Sequence, residues 1–266
     1  MKLQTIVDIP RSEWQAPVDA RWLLLGSCFV DAIGRKMGEY YLRAVSNPTG
    51  TLYNPVSIAR HIDLLDEADI AVITFGTAWV YEDKATGLVV DNCQKRPATD
   101  FLRRRLTVDE IVSLWQPILE RYRDKRFIFT VSPIRHIKDG LHENQISKAT
   151  LLLALEAISR LSSAVSYFPS YEIVLDELRD YRFYADDLVH PSSMAVNYIW
   201  ERFSEAYFSL QTLREMDELH GLWLDHHHTL LHPESPEAQS FMHYLAERTR
   251  QLQQQYPWID KMVNSK

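Results

Sequence analysis

Trp22-Leu23-Leu24-Leu25-Gly26-Ser27-Cys28-Phe29 is the stretch that decides how this chain is read. A short all-apolar run halted by a glycine predicts a strand buried on both faces of a sheet. From Phe29 the spacing changes, and Phe29, Ile33, Met37 and Tyr40 fall on one side of a helix running to Tyr41. The turn between strand and helix therefore presents a hydroxyl and a thiol, Ser27 and Cys28, at a helix N-terminus, whose positive dipole end favours developing negative charge.

Working outward, the same grammar repeats. Leu42-Arg43-Ala44-Val45 reads as a second strand ended by the turn cluster Ser46-Asn47-Pro48-Thr49-Gly50. Asn54-Pro55 opens a helix as N-cap and N1, with Val56, Ala59, Ile62 and Leu65 as its buried side. Ile70 to Phe75 is a buried strand that breaks at Gly76. Val80 to Cys93 then alternates around Thr86-Gly87, which predicts a hairpin insertion. Thr107 and Glu110 form a capping box for a helix to about Arg123, and Arg126 to Val131 is the next strand, stopped by Ser132-Pro133. A Leu- and Ala-rich helix from Asn144 to Ser162, a strand from Ala164 to Phe168, a short helix from Tyr171 to Leu178 and a core helix from Ser192 to Phe208 complete the series.

Short apolar strands alternating with helices imply a parallel sheet covered on both faces, a three-layer α/β/α fold. Right-handed crossovers and five strands give the order 2-1-3-4-5. The switch point then lies between strands 1 and 3 at their carboxyl ends, where Ser27 and Gly76-Thr77 sit. Residues 1–210 read as this α/β body. Residues 211–266 are polar and rich in Gln and His, with a helix start at Ser235-Pro236-Glu237 and an apolar stripe of Phe241, Tyr244, Leu245 and Leu252. They read as a C-terminal helical extension that packs on the body or joins a second copy in a homo-oligomer.

Bulk properties narrow the function. Net charge is −7, and the one basic run, Arg103-Arg104-Arg105, has apolar flanks, which argues against nucleic acid as a partner. Two cysteines, Cys28 and Cys93, offer neither a disulfide framework nor a Cys-type zinc site. His226-His227-His228 diverge around a helix and do not converge on one ion, so no metal and no cofactor are expected. No apolar run reaches the ~20 residues of a membrane span, and the N-terminus lacks the apolar core of a secretory signal, so a cytoplasmic location is expected.

The second informative stretch is Asp187-Leu188-Val189-His190-Pro191. A carboxylate three residues before an imidazole, brought by the fold to the Ser27 turn, supplies nucleophile, base and orienter, the set of groups that acyl transfer requires. Cys28 is the rival nucleophile, since a helix N-terminus lowers a thiol pKa, and Asp186 is the rival orienter. His136 reads equally as a pocket group and as a loop histidine. Trp79 and Tyr81 read as sugar-stacking or packing rings, and Asn47 and Asn54 as turn and cap residues.

Gly26-Ser27-Cys28-Phe29 resembles the signature of the GSCFA family, a branch of the SGNH (GDSL-like) hydrolases. Asp187-Leu188-Val189-His190, Asn47-Pro48-Thr49-Gly50, Ser132-Pro133 with Arg135-His136, and Asn144-Gln145 with Ser147-Lys148 also resemble it, over roughly residues 20–208. The resemblance implies a metal-free serine ester hydrolase, an acyl or acetyl esterase on a small-molecule or carbohydrate ester. Ser27 would be the nucleophile, His190 the base and Asp187 its orienter. The N–H groups of Ser27 and Gly50, joined by the Thr77 hydroxyl, would form the oxyanion hole. Asn47, Trp79, His136 and Asn144 would line the pocket. The superfamily's Asn donor after strand 3 is absent, since Gly76-Thr77-Ala78 stands there, and Thr77, Asn144 and His136 are the candidates to replace it. That departure also leaves open a non-catalytic binding module, and an acyltransferase shares the same acyl-enzyme.

Overall fold

The structure is a computed structural model and describes residues 4–91 and 96–263; Cys93 and the end of the Val80–Cys93 stretch fall outside the described residues. Strand β1 (Arg21–Gly26) leads through Ser27 into helix α1 (Cys28–Glu39). Then come β2 (Arg43–Ser46), the short α2 (Pro55–Ala59) and β3 (Ile70–Phe75). A hairpin of β4 (Trp79–Asp83) and β5 (Phe101–Arg105) precedes α3 (Val108–Arg121) and β6 (Arg126–Val131). Helix α4 (Leu141–Ser159), β7 (Val165–Tyr167), the one-turn α5 (Ser170–Glu172) and α6 (Ser193–Tyr207) follow.

The main sheet has the order β2-β1-β3-β6-β7 and all its pairs are parallel. With β4 and β5 set apart as the hairpin, this is the expected 2-1-3-4-5 arrangement of a three-layer α/β/α fold. Alternate residues of β1 feed opposite layers, as a strand's twofold period requires. Trp22 and Leu24 join Phe29, Ile33, Met37, Ile199 and Phe203 on one face. Leu23 and Leu25 join Ile58, Phe75, Trp115, Phe129 and Leu155 on the other. The segment after residue 210 forms α7 (Leu210–His226), α8 (Pro236–Gln255) and α9 (Ile259–Val263). Met216, Leu219, Leu222, Leu245, Leu252 and Ile259 bury into the first of these layers, and the Trp258 indole donates to the Tyr41 carbonyl at 3.0 Å. No helix among the described residues is long and apolar enough to cross a membrane.

Three local readings need correction. The helix opened by Asn54 lasts little more than one turn. Pro55, Ser57 and Ile58 are its buried residues, while Ile62 and Leu65 belong to a separate 3-10 turn. The turn at Thr86-Gly87 forms, but beyond it, among the described residues, the strand makes only the bridge Glu82–Val89. The true partner of β4 is β5, with Trp79 opposite Arg105 and Asp83 opposite Phe101. The helix expected from Tyr171 starts at Ser170 and widens into a π-helix over Ile173–Leu178.

The tightest point of the fold is Gly26. Its φ is +140°, and a Cβ there would sit 2.1 Å from the Thr74 carbonyl oxygen on β3. Both the conformation and the contact exclude a side chain. Gly26→Ala is expected to destabilise the chain by at least ~2 kcal/mol, read as a lower urea midpoint with an unchanged m-value.

Candidate active site

Because β1, β3 and β6 are neighbours, their carboxyl ends bring together the Ser27 turn, the loop Gly76–Ala78 and the loop Ser132–His136. The segment before α6 closes over them. Tyr184 bridges Pro191, the Ala185 N–H donates to the His190 carbonyl at 2.8 Å, and Leu188 takes a positive φ of 56° at its apex. Asp187 organises this turn. One carboxylate oxygen accepts from the backbone N–H groups of Val189 (2.9 Å) and His190 (3.0 Å), and the other meets His190 Nδ1 at 2.6 Å. The backbone donors of His190 and Val189, then the imidazole, hold the Asp187 carboxyl down at about 2, so it is ionised at neutral pH. Asp186 is exposed and makes none of these bonds.

With Nδ1 engaged by Asp187, His190 Nε2 faces the Ser27–Cys28 turn, and the atom it meets is Cys28 Sγ at 3.2 Å. Ser27, the expected nucleophile, is turned elsewhere. It is 1% exposed, its hydroxyl donates to Ser132 Oγ at 2.9 Å, and it caps α1 by accepting from the Phe29 N–H at 3.4 Å. Serine is a strong N-cap, and that structural task occupies it here. Cys28, at the first helical position, is half-buried. Burial pushes its thiol above the usual value, with Asp31 and Asp187 adding to that. Its own backbone N–H and Arg35 pull the other way.

The expected oxyanion donors are largely engaged. The Ser27 N–H donates to the Thr74 carbonyl at 3.3 Å and the Gly50 N–H to the Asn47 carbonyl at 2.9 Å. Thr77 Oγ1 pairs with Ser147 Oγ at 3.0 Å and accepts from the Trp79 N–H. The N–H groups of Gly76 and Thr77 both go to the Tyr53 carbonyl. Ala78, which stands where the superfamily has Asn, is fully buried, and its N–H donates to Ser147 Oγ at 2.8 Å. The Cys28 N–H makes no backbone bond among the described residues, and it lies beside the sulfur.

The expected pocket residues prove to be mostly supports. Asn47, at φ +40°, accepts from the Gly26 N–H at 2.9 Å and donates to Asp31 at 3.0 Å, which pins the turn. Trp79 has the Arg103 guanidinium over its ring at 3.8 Å, so that face is covered. Asn144 is buried and accepts from the His136 N–H at 2.9 Å. His136 packs edge-on to Tyr53, and its buried Nε2 has no partner. Burial, then the neighbouring Lys148 and His190, push the His136 imidazole down to about 4. Cys28 and His190 open onto a cleft of about 330 Å³ that is also lined by Arg35, Lys36, Glu39 and Asn197. Lys36 pairs with Glu39, whereas Arg35 makes no ion pair among the described residues. A larger cavity of about 460 Å³, lined by Arg135, Tyr181 and Tyr184, contains neither Cys28 nor His190.

Sequence reasoning gave Asn144 a place in the pocket but assigned no role to Ser147 and Lys148 on the same face of α4. Asn144, Ser147 and Lys148 are all buried, and each bonds one of the loops around the turn. Their i, i+3, i+4 spacing on an otherwise Leu- and Ala-rich helix was the available signal. Among the described residues, no group of acidic, His or Cys side chains is arranged to hold a metal.

The GSCFA family model matches residues 21–65 and 60–203 of the chain. None of the curated proteins matches it. Among solved structures it is similar to a family 3 carbohydrate esterase from Clostridium thermocellum, with 11% identity, coverage of 76% of this chain and 100% of that one, and a TM-score of 0.43. It is also similar to a lipase/acylhydrolase from Enterococcus faecalis, with 13% identity, 70% and 95% coverage and a TM-score of 0.44. A third similarity is to a catalytic mutant of an acetylxylan esterase from Geobacillus stearothermophilus, with 11% identity, 73% and 97% coverage and a TM-score of 0.47.

The electrostatics of His136 give a test independent of turnover. In the unfolded chain it binds a proton near 6.5, and in the native state only near 4. Between those values the unfolded state holds more protons, so this residue makes stability fall as the pH drops through that window. Urea unfolding from pH 7 to pH 4 is expected to show a shallower loss of stability in His136→Phe than in the parent chain.

Proposed function

The chain belongs to the GSCFA family, and we propose that it is an ester hydrolase working through a cysteine acyl-enzyme. In this reading Cys28 is the nucleophile, His190 is the general base and then the acid, and Asp187 is the orienter of His190. One observation carries the reading. His190 is held by Asp187 at 2.6 Å on one ring nitrogen and meets Cys28 Sγ at 3.2 Å on the other. Ionised Asp187 accepts the Nδ1–H, which leaves Nε2 free to take a proton. The raised pKa of Cys28 means the resting sulfur is a thiol, so base assistance by His190 is required, as it is for a serine hydroxyl.

The steps follow from this geometry. Nε2 takes the thiol proton as Sγ bonds to the ester carbonyl carbon. The carbonyl oxygen gains the negative charge beside the Cys28 N–H and the positive end of the α1 dipole. The C–O bond to the alcohol breaks, and His190 gives its proton to the departing oxygen. Water, deprotonated by the same nitrogen, then attacks the thioester, releases the carboxylic acid and restores the thiol. The His190 side chain is 46% exposed, which admits that water and favours hydrolysis over transfer to a second alcohol. Arg35, Lys36, Glu39 and Asn197 give the cleft a polar rim suited to a small acyl ester of a polyhydroxy alcohol such as a carbohydrate.

Turnover of p-nitrophenyl acetate separates the two candidate nucleophiles. Cys28→Ala is expected to lose at least ~10³-fold in kcat/KM, and Ser27→Ala to stay within ~10-fold. Mass mapping of a quenched reaction should place an acetyl group on Cys28. An adduct on Ser27, with activity kept in Cys28→Ala, would return the role to the serine. For the orienter, Asp187→Asn is expected to cost at least ~10²-fold and Asp186→Asn less than ~2-fold, measured with the same ester.

A further inference from the structure

We infer that Lys148 is a positioning residue whose buried positive charge is coupled to negative charge at Cys28, while its ammonium ties together the two loops that flank the nucleophile. The inference rests on the reading of Cys28 as the reacting group. Lys148 is 1% exposed, and its Nζ donates to the carbonyls of Gly76 at 2.7 Å and Ser132 at 2.6 Å. It makes no ion pair with a carboxylate among the described residues. A buried ammonium without an anion is costly, and a Leu or Met would fill the same space without that cost.

The position of the charge is informative. Its two acceptors end β3 and β6, and both lead back to the nucleophile turn. A Cβ placed on Gly76 would lie 3.4 Å from Ser27 Cβ, and the Ser132 hydroxyl accepts from Ser27 Oγ at 2.9 Å. Lys148 is thus two contacts from Ser27, the residue that precedes Cys28. The groups facing it are the Tyr171 ring at 5.7 Å, His136 and Cys28. Around Cys28 stand Asp31 and Arg35 on α1, together with Asp187, His190 and Tyr53.

Burial pulls the Lys148 ammonium down to about 7, and negative charge at Cys28 acts the other way, favouring the proton on Lys148. The residue is therefore poised to hold its charge when charge appears at the sulfur or on the adjacent oxyanion. Coupling of this kind is reciprocal: what Cys28 does to the Lys148 proton, Lys148 does to the Cys28 proton.

The test uses the full chain and iodoacetamide, with the Cys28 adduct followed by peptide mass mapping, which reports the Cys28 thiolate without any ester and apart from Cys93. Rates for the parent, Lys148→Met and Ser147→Ala are measured from pH 5 to pH 10. Lys148→Met is expected to alkylate about tenfold more slowly at pH 7 and to reach the parent's limiting rate at high pH. Ser147→Ala removes a contact of the same helix face without removing a charge, so it is expected to melt earlier and keep the parent's pH profile. A Lys148→Met profile that overlays the parent's would overturn the inference and leave Lys148 as a loop tie alone.

Loss of the acyl-enzyme reading, through an active Cys28→Ala, would leave the alkylation profiles standing, so the two failures are distinguishable.

Discussion

The close approach of Gly26 to Thr74 sets the geometry on which the rest of the site depends. In the parallel register Gly26 lies opposite Thr74, and with no Cβ the two backbones can nearly touch. That approach lets the Gly26 N–H reach Asn47 Oδ1 and the Gly26 carbonyl accept from the Leu52 N–H, both at 2.9 Å. The chain is thus clamped between the loop after β2 and the end of β3 at the point where strand becomes helix. Ser27 must then cap, and Cys28 must occupy the first helical position with its sulfur toward the cleft. Close backbone packing in one strand pair, rather than any contact of the sulfur itself, decides which side chain meets His190.

Most of the fold was legible because its strands are buried on both faces. Leu23 to Gly26 and Ile70 to Phe75 have no solvent face, so their apolar runs are continuous and their ends sharp. What was not legible depends on partners distant in sequence. Val89 and Leu102 are both plausible strand residues, and only tertiary packing gives β4 its partner in β5 rather than in the segment just after the turn. The helix after Asn54 carries helical spacing through Ile62 and Leu65, yet the chain tightens there to a 3-10 turn.

The site shows the same division one residue at a time. The Asp-x-x-His spacing was readable because Asp187 both accepts the backbone of its own turn and orients the ring, a local arrangement. The choice between Ser27 and Cys28 was not readable, because a serine before a helix serves equally as cap and as nucleophile. The hydroxyl that engages Ser27 belongs to Ser132, at the end of a strand far along the chain. Likewise Gly50 and Thr77 have donors of the right type in the right loops. The Gly50 bond to Asn47 stays within its loop and the Thr77 bond reaches Ser147 on α4, and both appear only when the chain is folded.

The groups packed around the Ser27–Cys28 turn follow a consistent electrostatic logic. Burial pushes the Cys28 thiol up, the His136 imidazole down and the Lys148 ammonium down, so each shift favours the uncharged form. A site that rests close to neutral incurs little desolvation cost while empty. In the same low-dielectric surroundings, a charge that appears during reaction is felt strongly by its neighbours. Asp187 is the exception that this arrangement needs. It lies at the exposed rim, where water and two backbone N–H groups keep it ionised, and it polarises His190 from outside the buried layer. Ionised group outside, neutral groups inside and carbonyl-tied lysine beneath form a graded environment that, in the proposed reaction, would stabilise negative charge as it forms. That is the condition under which binding a reacting state, rather than a resting one, lowers a barrier.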